Sequence, residues 1–110
     1  MKKKQPEQIV KNAIMDYLWM KHCFCWVNAS TGVFDPKRGI FRKNLSKYQL
    51  NGVADILGIW DSKPLAVECK ALGGKPTPDQ INFLNEFHNH GGIAIWADSL
   101  DMLIEKLDKI

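Results

Sequence analysis

Glu68 and Lys70 stand one residue apart in "LAVECKA" (65–71), a run that is otherwise apolar. Side chains alternate along a strand, so the two share a face, roughly 7 Å apart along the chain. Charged groups are seldom fully buried unless they are paired or bound to a metal. An edge strand with one wet face would accommodate them, but apolar neighbours on both sides argue for a covered strand. Asp55 repeats the pattern in "VADILGIW" (53–60), sharing a face with Val53, Leu57 and Ile59; an Asp after "NG" also suits a turn. Glu7 precedes Val10, Ile14 and Leu18 on the apolar stripe of a helix, although an acid in a first turn also complements the helix dipole. Gln80 shares a helix face with Leu84 and Phe87, while "TPDQ" (77–80) also spells a capping box.

Carboxylates that converge repel one another, and their pKa values rise unless a cation sits among them. Hard divalent ions such as Mg²⁺ take oxygen ligands and keep several waters, so two or three carboxylates and a backbone carbonyl suffice. The Cys69 carbonyl, between Glu68 and Lys70, is a natural additional ligand. A lysine beside such an ion suits phosphodiester hydrolysis: it can orient or help deprotonate the attacking water and balance charge on the phosphate.

The elements that must position these residues follow from periodicity and breakers. Pro6 suits a first helical turn, and Val10, Ile14, Tyr17 and Leu18 recur at helical spacing, predicting a helix over 6–22. "FCWVNA" (24–29) reads as a strand, and an extended segment falls near 39–43. The runs 53–60 and 64–71, separated by "DSK", are apolar on both faces and read as central strands. A helix over 78–90 ends at Gly91-Gly92, a short strand covers 93–97, and Ser99 caps a last helix that buries Leu100, Leu103, Ile104 and Leu107. The order α-β-β-β-α-β-α predicts one α/β domain over 1–110, a small mixed central sheet flanked by helices.

At 110 residues, with 45% hydrophobic and 25% charged side chains, the composition is that of a globular domain. No apolar run approaches the ~20 residues of a membrane span and no signal-peptide pattern opens the chain, so a cytoplasmic protein is expected. Three cysteines form no disulfide framework, and "HCFC" (22–25) fits no familiar zinc spacing; buried free thiols are the simpler reading. Residues 1–50 carry ten Lys and Arg against three acids, whereas 51–110 carry five against nine. That asymmetry points to a polyanion-facing half. Its densest part, "PKRGIFRKNLSK" (36–47), holds Lys37, Arg38, Arg42, Lys43 and Lys47 around Phe41; a solvated basic hairpin is the plainer alternative.

Asp55, twelve residues, then Glu68-Cys69-Lys70 resembles the D-x(n)-(D/E)-x-K signature of the PD-(D/E)XK nucleases. With its surroundings, "NGVADILGI", "LAVECKA" and "GGKPTPDQINFL" ending in "HGG", and with the helix that carries Glu7, nearly the whole chain resembles a stand-alone virus-type replication-repair nuclease (VRR-NUC) domain. Ala54 stands where the superfamily signature has proline, a position that shapes the strand entry and contributes no ligand.

The resemblance implies a restriction-endonuclease-like fold and a metal-dependent DNA endonuclease. Glu7, Asp55 and Glu68 would hold one or two Mg²⁺ or Mn²⁺ ions with the Cys69 carbonyl, Lys70 would be the catalytic lysine, and Gln80 would help position lysine or water. It further implies repair or recombination substrates, four-way (Holliday) junctions favoured, a homodimer, and a phage or prophage setting. Arg38, Arg42, Lys43, Lys47 and Lys75 are the candidate DNA contacts. Two alternatives stay open: a nuclease-like fold that binds DNA without cutting it, and a small interaction module whose inward polar residues form a structural network.

Overall fold

The computed structural model describes residues 6–29, 33–35, 37–42 and 47–110. Helix α1 (Pro6–Met20) opens the fold. It stops two residues short of the sequence expectation because His22 takes a left-handed conformation, φ 64°. The amide of Cys23 then turns back to donate to the Leu18 carbonyl at 2.9 Å, which closes the helix. Four strands build the main sheet in the order β1-β4-β5-β6: β1 (Phe24–Val27), β4 (Ile56–Trp60), β5 (Lys63–Cys69) and β6 (Ile93–Ala97). Between β1 and β4, strands β2 (Val33–Asp35) and β3 (Ile40–Arg42) pair with each other and, among the described residues, with no other strand. The extended segment expected near 39–43 is therefore real, but it belongs to a separate hairpin whose first strand carries no apolar alternation long enough to announce it.

β1, β4 and β5 pair antiparallel, and β5 and β6 run parallel, so the sheet is mixed and its helices give the expected α-β-β-β-α-β-α order around it. The β4–β5 link is a two-residue turn in which Asp61 and Ser62 both have positive φ, 52° and 66°, the twist that matches a hairpin. A parallel β5–β6 pair requires a crossover, supplied by α2 (Pro78–Asn89). Both the Thr77 cap of α2 and the Ser99 cap of α3 (Leu100–Asp108) form as expected.

The helices cover opposite faces. Ile14 and Leu18 from α1 and Leu103 from α3 close over Ile56, Leu65 and Val67, all fully buried. On the other face α2 sets Leu84, with Phe83 and Phe87, against Ala54 and Ala66. β5 is therefore covered on both sides from Leu65 to Cys69, and it is this strand that carries Glu68. Among the described residues, no helix is long and apolar enough to cross a membrane, and Cys23, Cys25 and Cys69 are free, the last two buried.

Candidate active site

Burial on both faces of β5 leaves Glu68 2% exposed, the one charged residue in the core of the described chain. Its Oε2 lies 3.6 Å from the Lys70 ammonium, itself largely covered. Its Oε1 has no hydrogen-bond partner. A buried carboxylate oxygen left unpartnered costs free energy. Its carboxyl is accordingly pushed up to about 7: burial contributes most, then the charge of Asp55, with Lys70 pulling the other way and a hydrogen bond with Asp55 and the charge of Glu7 adding to the rise.

Asp55 sits one residue before β4 rather than inside a strand starting at 53, and its position follows from backbone hydrogen bonds on both sides. Its carbonyl accepts from the Asn28 amide at 2.7 Å, while its Oδ2 accepts from the Cys69 amide at 2.9 Å. Asp55 thus replaces a ladder carbonyl opposite Cys69. Because the N–H and C=O of one strand residue point to the same side, the Cys69 carbonyl lies along the edge that Asp55 occupies. The Cys69 thiol on the other face is inert, pushed up to about 12 by burial and by the charges of Asp55 and Glu68.

The turn before Asp55 is held by contact with α2. Gly52 has φ +74°, and a Cβ there would collide with the Asp79 carbonyl and crowd the Gln80 amide. That contact packs the start of α2 against the turn that leads into Asp55. The Gln80 Oε1 takes the capping-box role that "TPDQ" spells: it accepts from the Thr77 amide at 2.8 Å, and the Thr77 hydroxyl accepts from the Gln80 amide at 3.3 Å. The capping box wins because four amides at a helix start need acceptors.

Glu7 requires a correction too. It is exposed, not directed into the core: the buried stripe of α1 begins at the half-buried Val10 and is complete only at Ile14 and Leu18. Its charge nonetheless raises the pKa of both Glu68 and Cys69, so it stands at the rim. Among the described residues no group of three or more His, Cys, Asp or Glu is gathered in metal-binding geometry. The structure draws together Asp55, Glu68 and Lys70, with Glu7 outside them.

The orphaned Oε1 and the raised Glu68 pKa are the features a divalent cation would resolve, so the donor set of Asp55, Glu68 and the Cys69 carbonyl fits Mg²⁺ or Mn²⁺, whose remaining positions water can fill.

The candidate DNA contacts fall differently. Lys75 is exposed in the loop after β5, 5.8 Å from the Trp96 ring centroid. Arg38 is exposed in the β2–β3 turn, and Lys47 is exposed over the Tyr48 ring at 5.2 Å. Lys43 and the Arg42 side chain lie outside the described residues. Two site neighbours have no local signature in the chain. Trp96 faces Glu68 across the β5–β6 register, and Asp98 accepts from the Gly73 amide at 3.0 Å, tying down the loop after β5. Register is a tertiary property, which no local pattern around either residue announces.

No family model matches the chain, and no curated protein does. Among solved structures, a chain described as "VRR_NUC domain protein" superposes with a TM-score of 0.63 at 17% identity, over 96% of this chain and 88% of its own. At that identity the likeness is one of architecture, and it covers every element described above: the chain has the fold of a VRR-NUC domain.

Proposed function

We propose that this protein is a metal-dependent endodeoxyribonuclease of the PD-(D/E)XK type, acting on branched DNA with four-way junctions as the favoured substrate. One observation carries the reading: a core carboxylate with an unpartnered oxygen, beside a second carboxylate and 3.6 Å from a lysine. As a structural feature this arrangement is unfavourable; as a binding site for a divalent cation it is complete in kind. Asp55, Glu68 and the Cys69 carbonyl would hold the ion, with Glu7 at the rim able to reach it through water. When bound, Mg²⁺ or Mn²⁺ supplies Lewis-acid polarisation of the phosphate. Lys70, held beside Glu68 and by its backbone N–H, which donates to the Ala97 carbonyl, would orient the attacking water and balance charge on the phosphoryl oxygens. Gln80, its oxygen committed to the cap, holds the α2 start against the Asp55 turn and positions rather than reacts.

A twofold pair belongs to the same reading, since two sites on opposed strands are what a symmetric junction presents. The surface that supports it is the uncovered half of the α2-side sheet face, where Phe24 (70% exposed), Trp26 and Ile59 form an apolar patch. Strand addition at β1 is obstructed, because the Trp19 indole N–H already donates to the Cys25 carbonyl at 3.0 Å. The contact would therefore be face to face.

The test is incubation of a labelled four-way junction, a matching duplex and single strands with the protein, with and without Mg²⁺ or Mn²⁺. Metal-dependent nicks at symmetric positions on the junction are expected. Binding without cleavage in either metal would overturn the catalytic assignment.

A further inference from the structure

The open edge of β6 is not solvent-flat. It floors a groove of about 800 Å³ between α2 and α3. One wall carries Asn85 and His88, the other Lys106 and Lys109, and Lys63 stands at the far end. Three lysines and a histidine line it, with no Asp or Glu among the lining side chains. Two carboxylates outside the lining, Asp98 and Glu105, act on Lys106. Asp98 is engaged by the Gly73 amide, and Glu105 pairs with Lys109 at 3.9 Å.

The groove reaches the strand position beside Glu68, although Asp55, Glu68 and Lys70 do not line it. Its inner end is Trp96, the residue in register with Glu68, and from there it follows β6 back for roughly 13 Å at the usual strand rise. Lys106 is built into that inner end. Its ammonium donates to the Trp96 carbonyl at 2.7 Å and lies 4.2 Å from the indole centroid, with Lys75 on the same ring at 5.8 Å. An ammonium has three donors, so one carbonyl bond leaves others for an anion. The same bond occupies an outward carbonyl of β6, which a peptide adding to this edge as a strand would need. A groove with an apolar floor, basic side chains along its walls and its strand edge capped suits one nucleic-acid strand, phosphates to the lysines and bases to the apolar floor.

We infer that the α2–α3 groove along β6 holds a single, unpaired DNA strand running from the scissile position, with Lys106, Lys109, Lys63 and His88 contacting its phosphates. The inference rests on the nuclease reading and extends it: the strand beside the cut would enter the groove unpaired, either already single-stranded or opened at the branch point on binding. Contacts to phosphate alone predict no base preference.

The experiment uses a catalytically silenced Lys70→Ala protein and measures binding, by fluorescence anisotropy, to a blunt duplex and to the same duplex with a 3′ or 5′ single-stranded tail. His88→Glu with Lys109→Glu, both exposed and outside the Asp55–Glu68–Lys70 cluster, should raise Kd for one tailed duplex at least tenfold. They should leave the blunt duplex within about twofold and flatten the salt dependence by about one unit for each phosphate no longer neutralised. Lys106→Gln should act in the same direction, and Lys21→Glu, an equal charge reversal at the end of α1, should not. Unchanged tailed-duplex binding, or equal weakening of both duplexes, would overturn the groove assignment. If wild-type protein still cleaves a junction in Mn²⁺, the nuclease reading survives that failure. A change in self-association on sedimentation, without a change in Kd, would instead make the groove a protein interface and overturn the inference.

Discussion

Glu68 carries opposite demands for stability and for chemistry, and they can be separated by pH. Its folded-state pKa of about 7 lies above the 4.5 of an unperturbed carboxyl, so between those values the folded chain binds a proton that the unfolded chain has lost. Stability of the metal-free protein therefore falls as pH rises from 4.5 to 7 and levels off above. Glu68→Gln removes the charge, so its Tm should exceed the parent's by several degrees at pH 8 and match it near pH 4, by calorimetry in chelator. Nuclease activity of the same variant should be lost. A Tm below the parent's at pH 8 would mean that the Lys70 pair outweighs the burial cost. Asp55→Asn tests the neighbouring role, since its side-chain oxygen can still accept from Cys69. The expectation is a stability within about 1 kcal/mol of the parent's and cleavage reduced at least a hundredfold. A structural network predicts the reverse, with unfolding and no specific effect of metal.

At the scale of elements, the site depends on where two chain segments start: β4, just after Asp55, and α2, at the Thr77 cap. Gly52 couples them, because its positive φ and missing side chain let the turn lie against Asp79 and Gln80. Gly52→Ala meets both the left-handed strain and a backbone collision, and should cost about 2–3 kcal/mol in denaturant unfolding. It should also lower kcat, by shifting Asp55 relative to Glu68. The β4–β5 turn makes the contrasting case. Asp61-Ser62→Asn-Gly suits positive φ at both positions and should stabilise by about 0.5–1 kcal/mol with cleavage unchanged, because this turn lies at the opposite end of β5 from Glu68.

Across the whole molecule, the proposed reading assigns the exposed sheet half around Phe24 and Trp26 to a second copy and the basic segments to DNA. Phe24→Glu with Trp26→Glu should shift the protein from dimer to monomer in analytical ultracentrifugation. The same pair should reduce paired incisions on a junction more than single nicks. A monomeric parent protein would remove the dimer from the reading while leaving the site chemistry as described.

Much of this was legible from local pattern. Hydrophobic periodicity places three helices and the four main strands, and the caps at Thr77 and Ser99 are written in side-chain types whose oxygens have one nearby use. The oddity of Glu68 and Lys70 in an apolar run is legible too, because two charges in a covered strand cost free energy that ordinary surface residues do not. What the chain by itself could not decide is which polar residues meet. Glu7 lies on the right helix stripe yet stands in solvent, since a helix's first turn projects past the sheet it packs on. Gln80 spends its oxygen on a cap. Asp55 reaches the Cys69 amide, Trp96 aligns with Glu68 and the β6 edge becomes a cationic groove only through strand register and the parallel crossover. Those are relations between residues distant in sequence, and only tertiary packing creates them.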